Sequence, residues 1–227
     1  MRRVAITTMV DRCREGVFRA VGLEPVELPC IKIEAAHPDV LEEARRQSAR
    51  SDLLVATSAH TLSLLWPAGE MPLTPVAAVG EQTALAVRAR GGIVELVGRH
   101  GGAASLVAEL EGRLAGRLVA FPHAGGTDPA LIARLSAASG ELAALAVYRT
   151  VPAPPGPDPV EAAAFASPSA VRGWLLARPL DGLVVGVIGP TTRAEVERRH
   201  GPPEVEAGVP TFEALARALA DHFQEAA

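Results

Sequence analysis

Short apolar runs alternate with longer stretches of amphipathic spacing along the whole chain. The apolar runs read as strands: Val4–Thr7, Val26–Ile33, Leu53–Thr57, Val76–Val79, Ile93–Val97, Leu118–Phe121, Leu142–Thr150, Ala162–Ala166, Leu183–Ile188 and Glu204–Ala207. Between them, helical spacing, Ser/Thr/Asp starts and glycine stops predict helices. These cover Asp11–Val21, Pro38–Arg50, Ser58–Trp66, Glu81–Arg90, the segment from Gly101-Gly102 to Leu114, Asp128–Ala138, Ser169–Ala177, Thr191–His200 and Thr211–Gln224. Strict strand–helix alternation is the pattern of parallel sheets covered by helices on both faces. Ten strands exceed an ordinary open sheet, so two five-stranded sheets are expected. The segment Val151–Pro159 holds five prolines in nine residues and reads as an extended connection.

One stretch occurs twice. VVGVIGPTTRAEVERRHG, beginning at Val184, runs as strand, glycine turn and helix start; VAAVGEQTALAVRARGG, beginning at Val76, repeats that succession. Gly189 falls on Gly80, an offset of 109 (189 − 80), and Thr192 on Thr83, Val196 on Val87 and Gly201 on Gly92 keep the same offset. Upstream, Ser167 falls on Ser58; downstream, Leu215 and Leu219 fall on Leu106 and Leu110. A looser echo links RVAIT at Arg3 with LVAFP at Leu118. The constant register predicts an internal duplication.

Parallel sheets bind ligands beyond the carboxyl ends of their strands. Those ends here carry Thr7-Thr8, Thr57-Ser58, Gly80, Gly98, Pro122-His123, Ser167 and Gly189-Pro190-Thr191, and the helix-start clusters are Thr57-Ser58, Gly80 to Thr83, Ser167-Pro168-Ser169 and Gly189 to Thr192. Backbone N–H groups and hydroxyls at helix starts suit an anion. Ser and Thr there also serve simply as N-caps, and for each taken singly capping is the ordinary reading. Tyr148, the only tyrosine, ends a strand beside the proline connection and is read either as a packed aromatic or as a cleft residue.

Composition narrows the classes. The 227 residues are 48% hydrophobic and 21% charged, as in an ordinary globular protein with room for a core. Net charge is −4 and no basic stripe stands out, which argues against nucleic acid. No apolar run approaches the ~20 residues of a membrane span. The start, MRRVAIT, enters a strand directly, so no signal peptide is expected. Cys13 and Cys30 lack metal or redox spacing and are expected to be free thiols in a reducing cytoplasm. The six histidines show no paired spacing, so no metal is expected. His60 and His123 fall near strand ends, where they could line a cleft, surface placement being the ordinary expectation. No glycine-rich nucleotide motif or nucleophile elbow is present.

Taken in order, T-S-A at Thr57, V-G-x-x-T-A at Val79, V-Y-R-T at Val147, F-x-S-P-S-A-V at Phe165, I-G-x-T-T at Ile188 and P-T-x-x-x-L at Pro210 resemble the uroporphyrinogen-III synthase family. Many members carry Arg-Pro after the first strand, where this chain has Thr8-Met9. The resemblance implies an α/β fold of two flavodoxin-like lobes. One lobe comprises residues 1–34 with 152–227, the other residues 37–148, and residues 34–37 and 148–154 form two linkers that leave Tyr148 where the lobes meet. It implies a hydro-lyase of haem, sirohaem or cobalamin biosynthesis that cyclises hydroxymethylbilane to uroporphyrinogen III, losing water and inverting ring D. No cofactor is implied. It also implies a cytoplasmic monomer, transient contact with hydroxymethylbilane synthase, Tyr148 as catalytic residue, and Thr8, Thr57, Ser58, Ala59, Gly80, Thr83, Ser167, Ser169, Ala170, Gly189, Thr191 and Thr192 as substrate ligands. A non-catalytic bilobed module binding a tetrapyrrole or another anion is the alternative.

Overall fold

The computed structural model describes residues 1–8, 12–99 and 102–225, with the side chains of residues 12 and 13 also outside the description. Met9 and Asp11 therefore lie outside it, as do His100, Gly101 and the thiol of Cys13. The chain divides into two compact units, Met1–Lys32 with Thr150–Ala227 and Ile33–Arg149.

The first unit is built on a five-stranded parallel sheet in the order β11-β10-β9-β1-β2. Its strands are β1 (Arg3–Ile6), β2 (Glu24–Glu27), β9 (Ala162–Phe165), β10 (Val184–Val187) and β11 (Val205–Glu206). Side chains alternate between its faces. Val4 and Ile6 of β1 join one core with Phe18 of α1 (Arg12–Ala20) and Leu215 and Leu219 of α9 (Phe212–Glu225). Ala5 joins the other with Val171 and Trp174 of α7 (Pro168–Trp174) and Val196 of α8 (Pro190–Arg199). A strand period of two therefore feeds two apolar layers, one under each pair of helices.

The second unit has a six-stranded sheet, β3-β8-β7-β4-β5-β6. Its strands are β3 (Ile31–Ala35), β4 (Leu53–Ala56), β5 (Pro75–Ala78), β6 (Ile93–Val97), β7 (Leu118–Ala124) and β8 (Glu141–Pro152). Leu54 and Ala56 of β4 face α2 (Pro38–Arg50), α3 (Ala59–Leu65) and α4 (Glu81–Arg88). Leu53 and Val55 face α5 (Ala103–Leu110) and α6 (Pro129–Ala138). The strand order β8-β7-β4-β5-β6 repeats β2-β1-β9-β10-β11 of the first unit. The starts of β4, α3, β5, α4 and α5 precede those of β9, α7, β10, α8 and α9 by the same 109 residues (162 − 53 for the first pair).

The structure departs from the pattern-based reading at two connected places. The run Val26–Ile33 is two strands in different sheets. Leu28 and Cys30 still donate to Ile6 and Thr7 of the β1 strip, but Pro29 between them has no N–H, and the chain turns away into β3. Among the described residues there are thus eleven strands, in sheets of five and six. The extra strand is also not parallel. Ala36 donates to Val147 and Ala153 to Cys30, so numbers fall along β8 as they rise along β3, the antiparallel sense. Strand β8 consequently runs on through Val151-Pro152, the first two residues of the expected proline connection. Proline is admitted there at a strand end. Among the described residues no helix is long and apolar enough to cross a membrane.

Candidate active site

In each sheet the chain's winding reverses at one place, between β4 and β7 in the second unit and between β1 and β9 in the first. The crevice beyond the carboxyl ends at such a reversal is where open α/β sheets bind ligands.

At the rim of the second unit, Thr57 and Ser58 follow β4, and Ser58 caps α3 by accepting from the His60 N–H at 3.1 Å. Ala59 opens that helix, half-buried. Gly80 opens α4 with extended backbone and no side chain competing for the first-turn N–H groups. Thr83 is buried inside the same helix.

Tyr148 reaches this rim through a register shift. Pairing of β7 with β8 proceeds residue by residue to His123 opposite Ala146, then jumps to Ala124 opposite Tyr148. Val147 is the extra residue of a bulge. Before it, Leu145 and Val147 face the layer under α3 while Leu142 and Ala144 face the opposite one. Undisturbed alternation would send Tyr148 to the opposite face. After the bulge it shares the α3 face with Val147. There its half-buried ring meets the His60 imidazole edge-on, centroids 5.1 Å apart and planes at 77°. Tyr148 also lines a cavity of about 320 Å³ with Glu34, Ala36, Gly125, Ala146 and Arg149. Two of these lining residues, Arg149 and Glu34, form an ion pair at 2.7 Å.

The two histidines depart from the surface expectation. His123 is buried at 8% exposure, because β7 continues through Pro122-His123 instead of ending at Phe121. His60 is half-buried, and its Nε2 is enclosed without a hydrogen-bond partner among the described residues. Their strand-end positions were the available signal; the strand extension and the bulge were not legible from residue types.

At the rim of the first unit, Thr7 is buried and donates to the Ala164 carbonyl at 2.7 Å, stitching β1 to β9. Thr8 follows it, half-buried. Ser167 caps α7 through the Ala170 N–H at 3.2 Å, and Ala170 is buried. Gly189 opens α8 with extended backbone and no side-chain cap; Thr191 is exposed and Thr192 buried. The matched serines thus act as caps, and the matched glycines open uncapped helices. Ser169 accepts from Arg172, which also reaches the buried Glu195 carboxylate at 3.4 Å.

Glu195 binds Arg198 and, at 2.7 Å, Arg199. Burial alone would raise its pKa, but the hydrogen bonds from Arg198 and Arg199 outweigh it and bring it from 4.5 down to about 2. A depressed carboxylate stabilises the fold above its unfolded pKa, and that contribution disappears as pH falls through the folded value. Glu195→Gln is expected to cost about 1–2 kcal/mol at neutral pH, screened because the arginines are solvent-accessible. The difference in melting temperature from the unsubstituted protein should shrink between pH 4.5 and about 2. A difference that holds constant across that window would contradict this reading. Cys30 is a free buried thiol whose pKa burial pushes up to about 12, against the opposing charge of Arg178, so it stays unreactive near neutrality.

A larger depression, about 540 Å³, is lined by Met1, Arg2, Leu23, Glu161 and Phe223. It lies at the amino ends of β1 and β9, away from the carboxyl rim that carries the conjunction of Tyr148 and His60.

A family model described as uroporphyrinogen-III synthase HemD matches residues 14–217. No curated protein matches significantly. Among solved structures, uroporphyrinogen-III synthetase from Helicobacter pylori aligns with a TM-score of 0.68 at 17% identity, covering 98% of this chain and 100% of that one. A mutant uroporphyrinogen III synthase from the extremely thermophilic bacterium Thermus thermophilus aligns with a TM-score of 0.59 at 18% identity, covering 99% of this chain and 100% of that one. At these identities the structural likeness carries the fold, and the family model carries the family. The chain belongs to the uroporphyrinogen-III synthase family, enzymes of tetrapyrrole biosynthesis.

Proposed function

We propose that the chain acts as a hydro-lyase, closing hydroxymethylbilane to uroporphyrinogen III with loss of water and inversion of ring D. The observation that carries this reading is the family match over residues 14–217. The chemistry asks for little from side chains. A pyrrole nitrogen lone pair expels the terminal hydroxyl group, which takes up a proton and leaves as water. The azafulvene cation that remains is attacked by the substituted carbon of ring D, giving a spiro intermediate that reopens and recloses with ring D inverted. Loss of a ring proton then restores the pyrrole. The protein's task is to hold a flexible chain so that this carbon attacks first, which is catalysis by positioning.

Tyr148 is assigned as the donor to the departing hydroxyl, since a phenol O–H can donate to a leaving oxygen and this one stands half-buried at the carboxyl rim. The substrate's carboxylates are assigned to the rim positions: Thr8, Thr57, Ser58, Ala59, Gly80, Thr83, Ser167, Ser169, Ala170, Gly189, Thr191 and Thr192. Uncapped first-turn N–H groups at Gly80 and Gly189 favour anions. At Thr83, Thr192 and Ala170, buried as they are, the contact falls to the backbone. We further assign the protein to the cytoplasm as a monomer in passing contact with hydroxymethylbilane synthase.

The test is a coupled reaction from porphobilinogen through the preceding deaminase, with the porphyrin isomers separated by chromatography. Isomer III in excess over isomer I is expected. Isomer I alone, the product of spontaneous closure, would reduce the protein to a binding module.

A further inference from the structure

We infer that His60 is a positioning residue for Tyr148: its imidazole fixes the plane of the phenol ring and thereby the place where the hydroxyl meets the substrate. The inference rests on the assignment of Tyr148 as proton donor. Three features of the second unit point to it independently of that assignment. The bulge at Val147 comes just before the last pair of an otherwise regular parallel pairing, and its consequence is to bring Tyr148 onto the face of α3. On that face the ring finds the imidazole edge-on at 5.1 Å. The backbone from which the imidazole springs is itself fixed, because the His60 main-chain N–H donates to Ser58 Oγ at the first turn of α3.

The third feature is the state of Nε2. It is enclosed and finds no hydrogen-bond partner among the described residues. An enclosed, unsatisfied ring nitrogen costs free energy, and an aliphatic side chain would fill the same space without that cost. Such atoms call for an explanation beyond packing. A tyrosine side chain turns about two torsions, so its hydroxyl sweeps a wide arc unless a neighbour restricts the ring. Edge-on contact with a second ring has a preferred geometry, which contact with an aliphatic group lacks. Since proton donation depends on hydrogen-bond reach to the leaving oxygen, restricting the arc raises the fraction of time the donor is in place.

The experiment is a double-mutant cycle on the full chain: unsubstituted protein, His60→Ala, Tyr148→Phe and both together, with His60→Phe as the variant that keeps a ring edge. His60→Ala is expected to lower kcat about two- to tenfold, the range edge-on ring contacts span, with KM little changed. In the Tyr148→Phe background the same change should be silent, because the two residues act as one unit. His60→Phe should recover most of the loss. A readout without turnover uses the fact that Tyr148 is the only tyrosine. The tyrosine band in near-ultraviolet circular dichroism, isolated by subtracting the Tyr148→Phe spectrum, should collapse in His60→Ala and persist in His60→Phe. Equal losses in both backgrounds, a silent His60→Ala or an unchanged tyrosine band would each overturn the inference. A fully active Tyr148→Phe would instead overturn the assignment of Tyr148. If His60→Ala fails to fold, His60→Asn enters the same cycle with the same expectations.

Discussion

Gly173→Ala is expected to cost about 4 kcal/mol or more, enough to prevent the first unit from folding. Gly173 lies in α7, and glycine inside a helix is itself about 1 kcal/mol worse than alanine, so its presence needs a cause. The cause is close approach. A Cβ at Gly173 would stand 1.8 Å from the Cys30 carbonyl oxygen and 2.6 Å from that of Ala153. Both atoms are backbone. The Cys30 carbonyl is also the acceptor for the Ala153 N–H at 2.9 Å, so neither segment can retreat without giving up that bond. Trp174, next in the helix, is fully buried against Phe165 and fixes α7 from the other side. The control is Gly16→Ala in α1, an exposed helical glycine where an added Cβ meets nothing within 4 Å among the described residues. There the same substitution should stabilise by about 0.5–1 kcal/mol. Urea unfolding of the two variants checks the pair. A Gly173→Ala protein with an unshifted midpoint would mean that α7 does not sit on these carbonyls.

Tyr148→Phe is expected to lower turnover about ten- to a hundredfold, the low end of general-acid effects. The loss is partial because the pyrrole nitrogen still drives the hydroxyl out and the remaining contacts still hold the substrate. The residual product should remain mainly isomer III, since ring choice comes from positioning and not from the proton. Spontaneous closure to isomer I runs in parallel and is subtracted from a blank. Stability should change little, because the phenyl ring keeps its place against the apolar layer under α3. The measurement is initial rate and isomer ratio, with a thermal melt as the folding check. Full activity in a normally folded variant would return Tyr148 to a packing role. A shift of the residual product to isomer I would make the phenol part of ring selection as well.

The layered α/β class, nearly all of its elements and the paired succession at a 109-residue spacing were legible from the apolar pattern, because strand and helix periods are local properties of the chain. The order of motifs likewise carried the family. The glycines at Gly80 and Gly189 and the serine caps at Ser58 and Ser167 were legible too, since capping is settled within a few residues.

What the tertiary structure alone decided is where pairing breaks that local logic. Val26–Ile33 looks continuous in hydropathy, yet Pro29 leaves one donor missing, and the two halves pair in different sheets. Which strand a residue pairs with is a non-local choice. The face of Tyr148 depends on a single extra residue, Val147, in β8 opposite β7, and one inserted residue reverses every side chain beyond it. His60 gains its meaning from that reversal, and Gly173 from the two carbonyls that close over it. The sequence by itself determined the elements, their succession and the family. The register of β8, the burial of His123, the meeting of His60 with Tyr148 and the approach of α7 to Cys30 were set only by folding, because each depends on which distant backbone lies alongside.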